Sequence, residues 1–421
     1  MPSSSSPSSL RSVLPTIVAL LLAYGLMQMG NTLQGTLLSV RGAIEYFTPT
    51  QIGAVGAAFW AGIVLGSLWA GKVIERVGHT RTFAALAAVA ASAGLLHLLV
   101  IEPTVWLVAR AITGFCFAGL FMVAESWLNS SATSSTRGQI LSLYGMTGLI
   151  AGIGGQLLLP AGSPSGFQLF CIVSMIIALA LVPIALSRAS APNQATGEAK
   201  IDLRRLHRQS PFGVLAAFLC GITTASFFAL GPVFAQGHGL NTAGIAIFMA
   251  CGTLGGFAMT WPLGWLSDRM DRRLVIIGTA AVAAIILVVL VNVIPSQAPD
   301  WVLYICVAIF GGSIIPTYSI VTAHVNDMVK PGEFVAASGG LLILQGAGSA
   351  TGPIVSGLAM SEFGLVGLAY VAIGAQAVMA AWGAYRIRQR AAAPEDEKEA
   401  FKPEPAVPVG VELAPAHGGA R

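Results

Sequence analysis

Long apolar stretches alternate with short polar turns along almost the whole chain. Twelve of these stretches are close to the roughly 20 apolar residues that a helix needs to cross a bilayer. They lie near 13–38, 50–74, 82–101, 104–128, 139–160, 166–187, 212–236, 243–267, 273–294, 300–323, 334–358 and 363–386. This pattern predicts an all-α integral membrane protein with twelve transmembrane helices.

Composition supports this class. Hydrophobic residues make up 55% of the chain and charged residues 10%, and the mean hydropathy is +0.78. A soluble domain carries about 25% charged residues. We therefore expect the lipid bilayer to cover most of the surface.

The basic residues are distributed unevenly. If the N-terminus is cytoplasmic, every Lys and Arg except Arg41 and Arg110 falls in a cytoplasmic loop, a tail or a helix end beside one. The positive-inside rule then predicts a multi-pass protein of the cell inner (plasma) membrane with both termini in the cytoplasm. The basic balance is thus an orientation signal, and we expect no nucleic-acid partner.

A polar, basic segment divides the twelve stretches into two sets of six. The predicted organisation is a disordered tail over 1–12, a six-helix half over 13–187, a cytoplasmic linker over 188–211, a second six-helix half over 212–390 and a disordered tail over 391–421. The last segment is rich in Ala, Pro and Glu, a composition that cannot build a core.

The loop between the second and third stretches is repeated in the second half. Each copy has a Gly, three residues, an acid-Arg pair and a short basic turn. The first copy contains Gly71, Glu75, Arg76, Gly78 and Arg81, and the second contains Gly264, Asp268, Arg269, Arg272 and Arg273. Two copies at matching positions indicate internal duplication, which is common in secondary transporters.

These loops resemble the Gly-x-x-x-Asp-Arg-x-Gly-Arg-Arg signature of the major facilitator superfamily, with Glu75 in place of the Asp in the first copy. The resemblance covers about residues 13–390. It implies a fold of two six-helix pseudo-repeats and transport by alternating access. It also implies that the two loops, with an acid such as Glu125 near the cytoplasmic end of the fourth helix, form a conformational gate. Glu125 would bond Arg76 while the inner side is closed.

Arg110 and Gly114 in the fourth stretch match an Arg-x-x-x-Gly element that resembles proton-coupled drug exporters. This resemblance implies proton coupling and favours export over import. Ile153 departs from the proline that such exporters have in the fifth helix. The residues that could carry the proton are Glu125, His97 and His238.

Candidate substrate-binding residues are polar groups within apolar stretches. Gln28, Asn31 and Gln34 recur at i, i+3 and i+6, close to one face of the first helix. Exposing three amides to lipid is costly, so this face should line a cavity or bond to other helices. Arg110 is either a cavity residue or an Arg that reaches the outer interface beside Trp106. Further candidates from other helices are Gln156, Tyr318 and Gln345.

A cavity with one cation and no obvious acid should favour an anionic or neutral polar substrate. The predicted function is therefore secondary transport of a small organic solute by a monomer. The alternatives are a multidrug/H+ antiporter for lipophilic cations and a transporter-derived sensor that moves nothing. We expect no enzymatic activity, cofactor or metal, because no metal cluster, phosphate loop or nucleophile motif is evident.

Overall fold

The computed structural model describes residues 10–131, 136–186, 202–292, 298–330 and 333–389. In this part the chain is helical apart from short turns. The first half contains α1 (Leu10–Ile44), α2 (Pro49–Val77), α3 (His79–Leu99), α4 (Pro103–Ser131), α5 (Arg137–Leu157), α6 (Gln168–Leu179) and α7 (Leu181–Leu186). The remainder contains α8 (Leu203–Gln209), α9 (Pro211–Gly237), α10 (Thr242–Arg269), α11 (Arg272–Asn292), α12 (Asp300–Ile314), α13 (Thr317–Asn326), α14 (Phe334–Phe363) and α15 (Gly367–Gln389).

Twelve membrane crossings follow from these helices. Eleven helical stretches are long and apolar enough to span, and the last of them runs for 54 residues. That stretch contains both α14 and α15, which are separated at Gly364, where φ is 70°. Two predicted spans are each built from two helices, namely α6 with α7 and α12 with α13. The predicted twelve-helix fold is confirmed. Residues 1–9, the predicted C-terminal tail and most of the predicted linker lie outside the described residues, and residues 10–12 of the predicted N-terminal tail form the start of α1.

The two halves repeat the same helix packing. In the first half α1 packs on α5, α2 on α4 and α3 on α6; in the second half α9 packs on α14, α10 on α12 and α11 on α15. Each pair of the second half occupies the place of its counterpart in the first half. The apolar side chains between these helices form the core of each half. This equivalence extends the duplication from the loops to the whole fold.

The α2–α4 crossing depends on glycines. A Cβ at Gly62 would overlap the carbonyl oxygen of Ala111, and a Cβ at Gly114 would overlap that of Phe59. The α10–α12 crossing repeats the arrangement with Gly255 and Gly311. Small residues let membrane helices approach this closely. Close helix packing therefore explains the glycine at position 114 of the Arg-x-x-x-Gly element, whatever the role of that element in transport.

We expect Gly114→Ala to destabilise the protein by about 1–3 kcal/mol, because the added methyl group forces two backbones apart. The midpoint of thermal unfolding in detergent measures this loss. Gly374→Ala is the matched control, since nothing lies within 4 Å of a Cβ at that helical position. Equal midpoints for the two variants would contradict the close-packing explanation.

The two ends of the bundle differ. The basic end carries Lys72, Arg76, Arg81, Arg269 and Arg386, and the opposite end carries the turns at Tyr46, Glu102, Gly162, Gly239 and Gly364. Between described residues, the hydrogen bonds that join the halves lie towards the opposite end: Thr50 Oγ1 is 3.0 Å from Ser361 Oγ, and Ser39 Oγ donates to Ala229 O at 2.7 Å.

Apolar packing closes the same end. Ile52 of the first half packs in a cluster with Leu230, Val233 and Met360 of the second. The contacts described between the halves therefore close the opposite end.

Candidate functional site

Arg110 lies inside the bundle, on the second turn of α4. Its side chain is buried, and its Nη1 donates to Gln34 Oε1 of α1 at 2.9 Å. Its guanidinium carbon lies 4.2 Å from the centroid of the Phe59 ring of α2. The guanidinium thus points towards α1 and α2 and does not extend to the interface. Trp106, its expected partner there, donates instead to the backbone carbonyls of His97 and Val100.

No carboxylate of the described residues pairs with this charge. Among the described residues, none of the ion pairs includes Arg110. A buried charge is strongly unfavourable without a counter-charge and hydrogen bonds. One amide oxygen and one aromatic face satisfy only part of what a guanidinium can donate. The site is therefore suited to an additional negatively charged or oxygen-rich group.

The α1 amides, Gln28, Asn31 and Gln34, are only partly satisfied. Gln28 Oε1, Asn31 Oδ1 and Gln34 Nε2 are buried and have no hydrogen-bond partner among the described residues. A buried polar atom without a partner costs about 1–3 kcal/mol. The alternative, interhelical bonding, accounts for Gln34 Oε1 alone. A bound polar solute or an ordered water could form hydrogen bonds with these three unpartnered atoms.

The three further candidates have different surroundings. Gln156 of α5 accepts a hydrogen bond from Thr36 Oγ1 and joins α5 to α1. Tyr318 of α13 lies in the apolar core of the second half. Gln345 of α14 is buried, and its Oε1 has no partner among the described residues. Of the three, Gln345 therefore resembles the α1 amides most closely, and the described side-chain hydrogen bond of Arg110 is to Gln34 rather than to any of the three.

The first loop copy is exposed. Glu75, Arg76 and Arg81 are solvent-exposed, and none of them forms an ion pair with another described residue. Gly78, at the end of α2, has a φ of 92°, a conformation that side chains rarely adopt. Gly71 has open space where a Cβ would be.

The predicted contact between Arg76 and Glu125 is absent from this conformation. Glu125 Oε1 instead accepts a hydrogen bond of 2.9 Å from the Tyr144 hydroxyl of α5. The Tyr144 ring stacks on Tyr24 of α1 at 4.0 Å, and Tyr24 fits because position 148 is a glycine. This absence agrees with an open basic end, and the gate remains a prediction for the closed state.

The second loop copy has a different environment. Gly264 and Arg272 are buried. Arg272 Nε bonds Asp327 Oδ2 at 2.7 Å, and its Nη1 bonds Asp268 Oδ1 at 3.1 Å. Sequence reasoning missed Asp327, whose only signal was an acid at the end of the charge-poor tenth stretch.

The two remaining basic residues of this copy have separate partners. Arg269 stacks on Trp265 with its guanidinium carbon 3.9 Å from the ring centroid. Arg273 bonds Asp271 at 2.7 Å. Burial acts to raise the pKa of Asp271, but the hydrogen bonds and the charge of Arg273 outweigh it and hold that pKa below its usual range.

The two candidate histidines differ in burial. His97 is fully buried on α3, its Nδ1 lies 2.7 Å from Ala93 O, and its Nε2 has no partner among the described residues. His238 lies half-buried at the opposite end, with its ring 4.1 Å from that of Phe234. His97 is thus the fully buried candidate, and its ring packs on Trp106 of α4.

Comparison with known proteins agrees with the duplicated fold. The sequence profile of the Major Facilitator Superfamily matches residues 20–325. The chain belongs to this superfamily. A 28% identical member is the uncharacterised MFS-type transporter YcaD of Escherichia coli O6:K15:H31 (strain 536 / UPEC), aligned over 82% of this chain and 89% of its own length.

Solved structures of the superfamily share the architecture. The nucleoside transporter NupG has a TM-score of 0.76 at 16% identity, over 90% of this chain and 99% of its own. A bacterial homologue of the human lysosomal transporter Spinster, in an inward-facing and occupied conformation, has a TM-score of 0.67 at 15% identity, over 94% and 99% of the two chains. At these identities the likeness establishes the fold alone.

Proposed function

We propose that this transporter moves a small anionic or polar organic solute through a site formed by Arg110 and the α1 amides. It acts as a monomer in the inner membrane, with the basic end and both termini in the cytoplasm. The concentration of Lys and Arg at one end supports this orientation. The structure then corresponds to an inward-open state, in which the gate residues of the first loop have separated from Glu125.

One observation carries the choice of substrate class: Arg110 is a buried cation without a carboxylate partner among the described residues. A lipophilic cation would be repelled by this charge, whereas an organic anion would compensate it. The unsatisfied atoms of Gln28, Asn31 and Gln34 supply the polar contacts that orient a solute.

A thermal-shift screen of the detergent-purified protein tests the proposal. We expect small organic anions to raise the unfolding midpoint, since a ligand at 100 times its Kd adds about 2.7 kcal/mol of stability. The shift should vanish in Arg110→Ala. It should persist in Arg76→Ala, which removes an exposed cation at the basic end and controls for nonspecific attraction of anions.

Two other results would change the proposed substrate class or the proposed function. Stabilisation by lipophilic cations that Arg110→Ala leaves intact would favour the multidrug/H+ antiporter and make Arg110 structural. An anion that binds but is not moved across proteoliposome membranes would favour the non-transporting sensor.

A further inference from the structure

The hydrogen bonding of His97 fixes which of its ring nitrogens can change protonation. Nδ1 lies 2.7 Å from the carbonyl oxygen of Ala93, one turn earlier on α3. A carbonyl only accepts hydrogen bonds, so Nδ1 carries a hydrogen. In the neutral ring Nε2 is then a bare acceptor, and in this structure it is buried without a partner among the described residues.

The face of α3 that carries His97 is the one that Gln34 of the Arg110 site approaches. Gln34, which accepts the hydrogen bond from Arg110, directs its unpartnered Nε2 towards α3, where it lies 3.7 Å from the position of a Cβ on Gly94. Gly94 and His97 are three residues apart and share a helix face. The His97 ring also packs edge-to-face on Trp106, one turn from Arg110, at 5.6 Å.

Arg110 lies one turn along α4 from Trp106, whose ring contacts the His97 ring at 5.6 Å. Helix α3 packs on α2, α4, α6 and α7. The other titratable groups on these elements, beside them or on α1 are distant along the helices, exposed in a loop, paired with each other or thiols: Tyr24, Arg41, Glu45, Lys72, Glu75, Arg76, His79, Arg81, Glu102, Cys116, Glu125 and Cys171. No carboxylate among the described residues bonds His97, so a second positive charge there would add to that of Arg110 without a counter-charge.

We propose that His97 forms an anion subsite with Gln34 and Arg110 and carries one proton with each anion bound. This inference rests on the proposed function, because it needs an anion at Arg110. An anionic oxygen offers only lone pairs, as does the neutral Nε2. The two can meet only after Nε2 takes a proton from solvent and becomes a donor. The bound anion also removes the opposition of Arg110 to that proton.

The direction of coupling follows from this chemistry. The anion and the proton occupy the same site together and leave it together, so they cross the membrane in the same direction. A proton gradient directed into the cell would then drive import of the anion. A neutral solute with a hydroxyl group would instead donate to the bare Nε2 and take up no proton.

The test measures proton uptake on binding. Acetate, benzoate, succinate and inorganic phosphate are screened for stabilisation that depends on Arg110, and the strongest binder is titrated into weakly buffered protein containing a pH indicator. We expect the wild-type protein to take up about one proton per bound anion near pH 8, where free imidazole is neutral, and affinity to fall about tenfold per pH unit as the pH rises further.

Two variants distinguish proton uptake from anion binding. In His97→Gln, an amide N–H replaces the protonated Nε2, so we expect binding without proton uptake and an affinity independent of pH. His238→Gln removes a histidine outside the site and should keep the wild-type proton count. Binding that depends on Arg110 but takes up no proton in the wild-type protein would overturn the inference while leaving the proposed function intact. If none of the four anions binds, this inference fails, whereas the proposed function is decided by the wider thermal-shift screen.

Discussion

Replacing Asp327 by Ala is expected to lower the stability of the protein by about 3–5 kcal/mol, because it leaves the Arg272 guanidinium buried without its closest counter-charge. The side chains of Arg272 and Asp327 are 1% and 3% exposed and lie 2.7 Å apart. Asp268 also bonds Arg272, but its side chain is 34% exposed, so solvent weakens its contribution. The midpoint of thermal unfolding in detergent measures the loss.

The first loop copy supplies the control. Arg76→Ala and Glu75→Ala alter exposed residues to which the structure gives no ion pair, and we expect midpoints close to that of the wild-type protein. The double variant Arg272→Met with Asp327→Leu should recover most of the stability, since it removes both buried charges. If Asp327→Ala and Arg76→Ala have the same midpoint, the buried pair does not stabilise the second half.

The duplicated loops show how far sequence predicts this fold. Hydropathy sets the number of crossings, because each apolar stretch must span the bilayer. The spacing of Gly71 and Arg76, repeated at Gly264 and Arg269, identifies the two halves. Neither signal predicts that Arg272 is buried in an ion pair while Arg269, in the same loop, is exposed. That difference depends on Asp327, 55 residues from Arg272, which only the packing of α13 brings near.

The sequence likewise predicts only part of the candidate site. The sequence identifies Arg110 and Gln34 as intramembrane polar residues, since few such groups occur in apolar stretches. It does not identify their contact, which joins residues 76 positions apart and depends on the approach of α1 to α4. The family resemblance predicts a bond between Glu125 and Arg76. In this conformation Glu125 instead bonds Tyr144, because packing of Tyr24 on Tyr144 between α1 and α5 places the Tyr144 hydroxyl beside it.

Cysteines introduced at Thr50 and Ser361 are expected to form a disulfide that stops transport. The two hydroxyl oxygens are 3.0 Å apart in a solvent-exposed contact between α2 and α14, and a disulfide brings its sulfurs to about 2 Å. Alternating access requires the halves to separate at this end, so a covalent bond there should hold the protein in the state that is closed at the opposite end.

Transport in proteoliposomes of the anion found by the thermal-shift screen should therefore fall to background on oxidation and recover on reduction. The single variants Thr50→Cys and Ser361→Cys are the controls and should keep their activity under oxidant. Of the five native cysteines, Cys116, Cys220 and Cys306 are buried, whereas Cys171 and Cys251 are partly exposed, so the single variants also control for disulfides that an introduced thiol forms with a native one. Undiminished transport by fully cross-linked protein would mean that the α2–α14 contact does not open during the cycle. Retained binding in the cross-linked protein would show that the site remains accessible from the basic end.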